Sequence, residues 1–312
     1  LYYKIINVVL LDMKRDWIAV DWGTTNFRAF LMNENRVIAH TSASCGLLAV
    51  ENDAFAATLH HQLQPWINNV GAVPVLMAGM VGSQQGWLNV PYVSLPADIQ
   101  NVLAGIQPVE TPWGSPAWIT PGLSGQSAWN QPDVMRGEEI QLMGLNTLHP
   151  APEHYVLLPG THSKHVQMKN GCITTFSTLM TGELFSVLSE HSLLGRALPP
   201  QQEDQCSFLA GVSAAQRPVP FSHLVFAART RRLSGEIAAE HVHSFLSGLL
   251  IGDELSSLPT GQHAWIVGSP SLAARYQLAA TVIDISLTTV NGNDCFLRGL
   301  ALLRSHLQEL NS

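Results

Sequence analysis

Strand-length apolar runs alternate with segments of helical periodicity along the chain, and the order of elements in the first half returns in the second. These two observations predict an α/β protein of two domains, 14–150 and 151–312. The length of 312 residues agrees, because it exceeds what a single core usually carries. Runs at 16–22, 27–32 and 36–42 lie close enough to form an antiparallel meander, and 73–79 and 117–120 read as further strands. In the second half 154–159, 164–169 and 172–179 repeat the three neighbouring strands, with 263–268 as a fourth. Helices are expected at 53–68, 134–146, 182–194, 238–257, 270–280 and 294–310. Val242, Phe245, Leu246, Leu249 and Leu250 follow the helical i, i+3, i+4, i+7, i+8 spacing, and Asp294 stands as an N-cap before Phe296, Leu297, Leu300, Leu303 and Leu307. The proline-containing stretch 199–220 reads as a loop excursion.

Composition narrows the function classes. Hydrophobic residues make up 46% and charged residues only 12%, as in a compact globule rather than a disordered chain. A formal charge of −7 without any Lys/Arg run argues against nucleic acid or an anionic membrane surface as partner, and favours small molecules. The four cysteines, Cys45, Cys172, Cys206 and Cys295, lack CxxC or ligand-like spacing and fit reduced thiols in a cytoplasmic protein. The apolar run Ile5–Leu11 is too short to span a bilayer, and residues 1–12, before Met13, read as an upstream extension.

Two turns carry the chemistry. "VDWGTTNFRAF" (20–30) and "LLPGTHSKHVQM" (157–168) each lead an apolar run into a Gly-Thr pair and out through a second run bearing Arg28 or Lys164. A tight Gly-Thr hairpin aims backbone N–H groups and hydroxyls outward, which suits phosphate oxygens. Two such hairpins facing each other would hold a phosphate chain in a cleft between the domains. Asp21, at the end of the first strand, supplies the single carboxylate that a largely hydrated Mg²⁺ requires. Arg28 and Lys164 read equally well as structural ion-pair partners. Neither a Walker loop nor a GxGxxG turn is present.

With these residues in view, "DWGTTNFR", "LPGTHSK" and "VGSPSLAARY" resemble the two phosphate motifs and the adenosine motif of the actin, Hsp70 and sugar-kinase superfamily. "MAGMVGSQQGW", "VMRGEEIQLMG", "LLPGTHSKHV" and "LMTGELF", in that order, resemble the bacterial 2-dehydro-3-deoxygalactonokinases over roughly 16–305. The resemblance implies an actin-like ATPase (ribonuclease H-like) fold with an interdomain cleft. It also implies transfer of the γ-phosphoryl group of MgATP to the terminal hydroxyl of 2-dehydro-3-deoxy-D-galactonate. Gly23, Thr24 and Thr25, with Gly160, Thr161, His162 and Ser163, would then contact phosphate; Asp21 would hold Mg²⁺ through water; Gly268 and Ser269 would meet adenosine.

"RGEE" places Glu138 and Glu139 at a helix start after Gly137. By the resemblance Glu138 is the general base, with Glu139 as the fallback, although related sugar kinases usually use Asp there. Ser83, Gln84 and Trp87 resemble the sugar-binding turn of such kinases, and Arg136 suits either the substrate carboxylate or a neighbouring acid. Glu183 reads as a helix-capping acid, with a place lining the cleft as the alternative. An exopolyphosphatase-like hydrolase and a non-catalytic actin-like ATP-binding protein are the alternatives, and oligomeric state is left open.

Overall fold

The computed structural model describes residues 16–310, so the expectation about residues 1–12 lies outside it. The chain forms two compact units. One comprises residues up to Glu153 with Gln167–Phe176 and from Gly292 onward; the other comprises His154–Val166 and Ser177–Asn291.

In the first unit β1 (Asp16–Trp22), β2 (Phe27–Asn33) and β3 (Arg36–Ala43) form the expected antiparallel meander, with Asp21 opposite Arg28. β1 also runs parallel to β4 (Val75–Gly79), which sets Asp21 beside Ala78 and Trp22 beside Gly79. After the two-residue β5 (Val93–Ser94), β6 (Gln107–Val109) and β7 (Ala117–Ile119) complete a sheet of order β3-β2-β1-β4-β7-β6. β1 is buried along most of its length, as a central strand covered on both faces requires. Helix α1 (Phe55–Val70) lays Phe55, Leu59 and Leu63 into the core with Ile18, Val20, Trp22 and Met77. The short helix α2 (Ile99–Gly105) starts from Asp98, whose carboxylate accepts from the amides of Gln100 and Asn101.

A small sheet missing from the sequence reading joins β5 to β8 (Leu123–Gln126) and β9 (Pro132–Met135). This corrects the expected helix 134–146: residues 132–135 are a strand, and α3 starts at Glu138 and ends at Leu148. Gly137, with φ of 110°, is the break between them.

The second half of the chain carries the repeat. β10 (Glu153–Leu158), β11 (Ser163–Lys169) and β12 (Cys172–Leu179) lie in the order β12-β11-β10, followed by β13 (Gln262–Gly268) and β14 (Ile285–Asn291), both parallel. Helix α4 (Thr181–His191) follows β12. The expected loop 199–220 contains α5 (Gln205–Ala215), capped by Asp204 and burying Phe208 and Val212 against Ile251 and Leu255. Next come α6 (Phe221–Leu233), α7 (Val242–Leu255) and α8 (Pro270–Ala280). The last helix, α9 (Gly292–Leu310), buries Cys295, Phe296, Leu300 and Leu303 and packs on α3, so it belongs with the first unit rather than with the 151–312 half. Among the described residues no helix is long and apolar enough to cross a membrane.

Candidate active site

In the first unit the parallel register of β1 and β4 gathers several of the expected residues around Gly79. A Cβ built on Gly79 would lie 3.4 Å from Asp21 Oδ1, and one built on Gly137 would lie 3.3 Å from Gly79 Cα. The end of β1, the end of β4 and the start of α3 therefore meet. Arg28 donates through Nε and Nη2 to Asp21 Oδ2 and through Nη1 to Asn293 Oδ1, which makes it the ion-pair partner of the candidate metal ligand. Both contacts to Asp21 fall on Oδ2, so Oδ1 stays free of Arg28.

The first hairpin turn closes with Gly23 N donating to Asn26 O at 2.9 Å, and Thr24 and Thr25 are exposed at its tip. Beneath it, Trp22 is fully buried, packs edge-on against Phe27 and Phe55, and donates from Nε1 to Cys45 O at 3.0 Å. A bulky anchor thus fixes the strand end from which the turn departs.

At the start of α3 the two carboxylates divide. Glu138 is partly exposed, and its Oε2 accepts from Arg136 N at 3.0 Å. Glu139 is 0% exposed, and both its oxygens accept from Gly137 N, at 2.9 and 2.7 Å. Burial, reinforced by the charge of Glu138, pushes the Glu139 carboxyl up to about 8, so at neutral pH it is mostly protonated while Glu138 is the acid that solvent can reach.

Arg136 is 8% exposed. Its Nη2 donates to Val90 O at 2.7 Å and its guanidinium stacks 4.3 Å from the Tyr92 ring centroid. Its Nε and Nη1 are buried without a partner among the described residues, as are Ser83 Oγ and Thr120 Oγ1. Arg136 and the backbone of Thr120 both approach Gly82, next to Ser83: a Cβ on Gly82 would sit 2.9 Å from Arg136 Nη1 and 3.3 Å from the Thr120 carbonyl oxygen. Buried donors are normally paired, so these groups are candidate donors to a bound acceptor. Gln84 is exposed, and Trp87 packs partly buried against the core of the unit. Thr120 gave no signal in sequence, since a threonine between a short strand and the Pro121-Gly122 turn signal is an ordinary residue there.

In the second unit β10 and β13 run parallel, with Val156 beside Trp265 and Leu157 beside Ile266, which brings the second turn next to the candidate adenosine motif. A Cβ on Gly268 would lie 3.7 Å from Pro159 Cδ. Ser269 caps α8, accepting from Leu272 N, with Pro270 at the first helical position. Thr161 and His162 are exposed, and His162 Nε2 contacts the Glu183 carboxylate. Glu183 therefore pairs with the turn instead of serving only its own helix.

Ser163 is placed differently from the expectation of phosphate contact. It is 0% exposed, and its Oγ accepts from Gly160 N at 3.4 Å and lies 3.2 Å from Tyr276 Oη. Tyr276 Oη donates to Glu254 Oε2 at 2.7 Å, Thr181 Oγ1 donates to the same oxygen, and His165 Nε2 lies 3.1 Å from Glu254 Oε1. Burial next to that carboxylate pushes the Tyr276 phenol well above its ordinary range. The buried Glu254 thus ties β11, α4, α7 and α8 together under the turn, and Ser163 supports the turn from below. Lys164 is also buried and donates to Thr178 Oγ1 at 2.8 Å.

The family described as 2-keto-3-deoxy-galactonokinase matches residues 21–303. The chain belongs to this family. It is 38% identical over 292 residues to the 2-dehydro-3-deoxygalactonokinase of Escherichia coli K12, covering 92% of this chain and 97% of that one. It is 31% identical over 294 residues to a protein of Rhizobium meliloti named a probable 2-dehydro-3-deoxygalactonokinase, covering 91% and 95%. A crystal structure from Sinorhizobium meliloti, whose name marks the same assignment as inferred, superposes with a TM-score of 0.84 at 30% identity over 93% of this chain and 99% of that one. The fold is accordingly the one this crystal structure shares over nearly its whole length.

Proposed function

We propose that the protein transfers the γ-phosphoryl group of ATP to the 6-hydroxyl of 2-dehydro-3-deoxy-D-galactonate, a step of galactonate catabolism in the cytoplasm. The family match over 21–303 carries this reading, because it takes in every candidate site residue from Asp21 to Ser269. The sugar hydroxyl oxygen forms a bond to the γ-phosphorus, the bond to the bridging oxygen of ADP breaks, and the hydroxyl proton passes to Glu138. Reach favours Glu138 over the fully buried Glu139.

Gly23, Thr24 and Thr25, and Gly160, Thr161 and His162, contact ATP phosphates through backbone N–H groups and exposed side chains, with Ser163 holding its turn. Gly268 and Ser269 meet adenosine. Asp21 fits a hydrated Mg²⁺, which would neutralise phosphate charge: Oδ1 is free of Arg28, and one carboxylate suffices when water and phosphate supply the other ligands. Arg136, Ser83 and Thr120 take the substrate carboxylate, which supplies the acceptor that their buried donors lack. Gln84 and Trp87 contact the sugar chain.

The test is ADP release with MgATP and a panel of acceptors. The proposal expects kcat/KM for the 2-keto-3-deoxy acid to exceed that for the corresponding neutral sugar by 100-fold or more, as for a site built around a charged partner (~3 kcal/mol). Equal rates with neutral sugars would remove the carboxylate pocket, and ADP release independent of any acceptor would favour a hydrolase.

A further inference from the structure

Both phosphate turns are pressed from behind by a later segment that opens with a glycine. At the first turn the amides of Gly46, Leu47 and Leu48 donate to the carbonyls of Thr25, Gly23 and Thr24 at 3.0, 3.0 and 3.1 Å. A Cβ built on Gly46 would fall 2.3 Å from Thr25 C and 2.5 Å from Thr24 O. At the second turn Glu183 N donates to Thr161 O at 3.0 Å, and a Cβ on Gly182 would fall 2.4 Å from Gly160 O and 2.8 Å from Thr161 Cα. The glycines inside the turns are not confined in this way. A Cβ on Gly23 would come no nearer than 3.5 Å to its surroundings, and one on Gly160 would meet nothing within 4 Å.

Gly46 has φ of −64°, so a side chain is excluded there by proximity and not by backbone conformation. The consequence follows from peptide geometry. In a planar trans peptide the C=O of one residue and the N–H of the next point in opposite directions. Holding the carbonyls of Gly23, Thr24 and Thr25 toward residues 46–48 therefore aims the amides of Thr24, Thr25 and Asn26 away from that segment. Holding Thr161 O toward α4 does the same for His162 N–H.

We propose that Gly46 and Gly182 are positioning residues for the ATP phosphates, each letting a backbone segment close on a turn and orient its amides. This rests on the reading that the two turns bind ATP phosphates. It also accounts for the spacing of the repeat, because each brace arrives just after the third strand of its meander.

The test compares wild type, Gly46→Ala and Gly182→Ala with Gly114→Ala, a positive-φ glycine whose added Cβ would meet open space. Steady-state kinetics and thermal melting are measured for each. The proposal expects KM for ATP to rise about tenfold or more in each brace variant, the loss of one hydrogen bond to a charged group, with KM for the sugar acid changed less than twofold. Gly114→Ala should lower the melting temperature without changing either KM. If Gly46→Ala does not fold, Leu48→Pro replaces it, since Leu48 is 75% exposed and the change removes the amide bonded to Thr24. Unchanged KM for ATP in folded variants of an active enzyme overturns the brace alone. A wild type without ATP-dependent turnover overturns the brace together with the reading beneath it.

Discussion

Glu139→Gln should make the protein more stable, by an amount that depends on pH. In the folded chain the carboxyl of Glu139 is 0% exposed and holds its proton up to about 8, against 4.5 in the absence of burial. Between these values the folded state binds more protons than the unfolded state, so stability falls as pH rises through that window and levels off above it. At about 1.4 kcal/mol per pH unit, the cost at pH 7 is about 3 kcal/mol, with most of that change falling between pH 5 and pH 7. Glutamine is nearly isosteric, keeps an oxygen to accept from Gly137 N, and does not ionise. The stability difference between variant and wild type should therefore be small near pH 4.5 and grow steadily to pH 8. Urea unfolding followed by tryptophan fluorescence reads the right unit, since of the eight tryptophans only Trp265 lies outside the first one. A difference that stays flat from pH 5 to pH 8 would show that the carboxylate ionises in place with water or a cation beside it, and would refute the argument.

Glu138→Gln should lower kcat by about 10²–10⁴-fold with ATP binding intact, whereas Glu139→Gln should cost less; steady-state kinetics on the two variants decide it, and the reverse order would make Glu139 the base. Asp21→Asn should fold and lose most activity, the loss being greatest at limiting Mg²⁺, and near-normal turnover there would reduce Asp21 to a partner of Arg28. Gln84→Ala and Arg136→Lys should each raise KM for the sugar acid while leaving that for ATP nearly unchanged, which the same kinetics test. Among the thiols Cys206 is exposed, while burial raises Cys45 and Cys172 and pushes Cys295 up to about 12. Mass spectrometry after brief alkylation at pH 8 should find Cys206 modified first and Cys295 last.

Local patterns in the chain made much of this architecture legible. β1, β2 and β3 appear as apolar runs separated by turn residues, and their counterparts β10, β11 and β12 as the same pattern, so the repeated meander could be read before any contact was known. The failures share a cause. β9 is a four-residue strand that buries only Met135 and pairs with its neighbour β8, β14 is half-exposed and pairs with β13 across α8, and α5 has a weak amphipathic pattern, so packing rather than periodicity sets their structure. At the site, residue type singled out Asp21 and the Glu138–Glu139 pair as candidates, and the fold brings the strand end and the helix start that carry them together around Gly79. Residue type was silent where function depends on approach. Gly46, Gly182 and Thr120 look like ordinary residues, and Glu254 like an acid within an apolar helix, until their neighbours are seen. Ser163 shows the converse: its motif pointed to phosphate, and folding turned its hydroxyl inward.

The most direct test of the assigned activity is the product itself. Purified protein incubated with MgATP and 2-dehydro-3-deoxy-D-galactonate should yield ADP together with one phosphomonoester, whose ³¹P resonance is split by the two protons of the terminal CH₂ group. Inorganic phosphate as the only new phosphorus species, or an ester coupled to a single CH proton, would contradict phosphoryl transfer to the 6-hydroxyl.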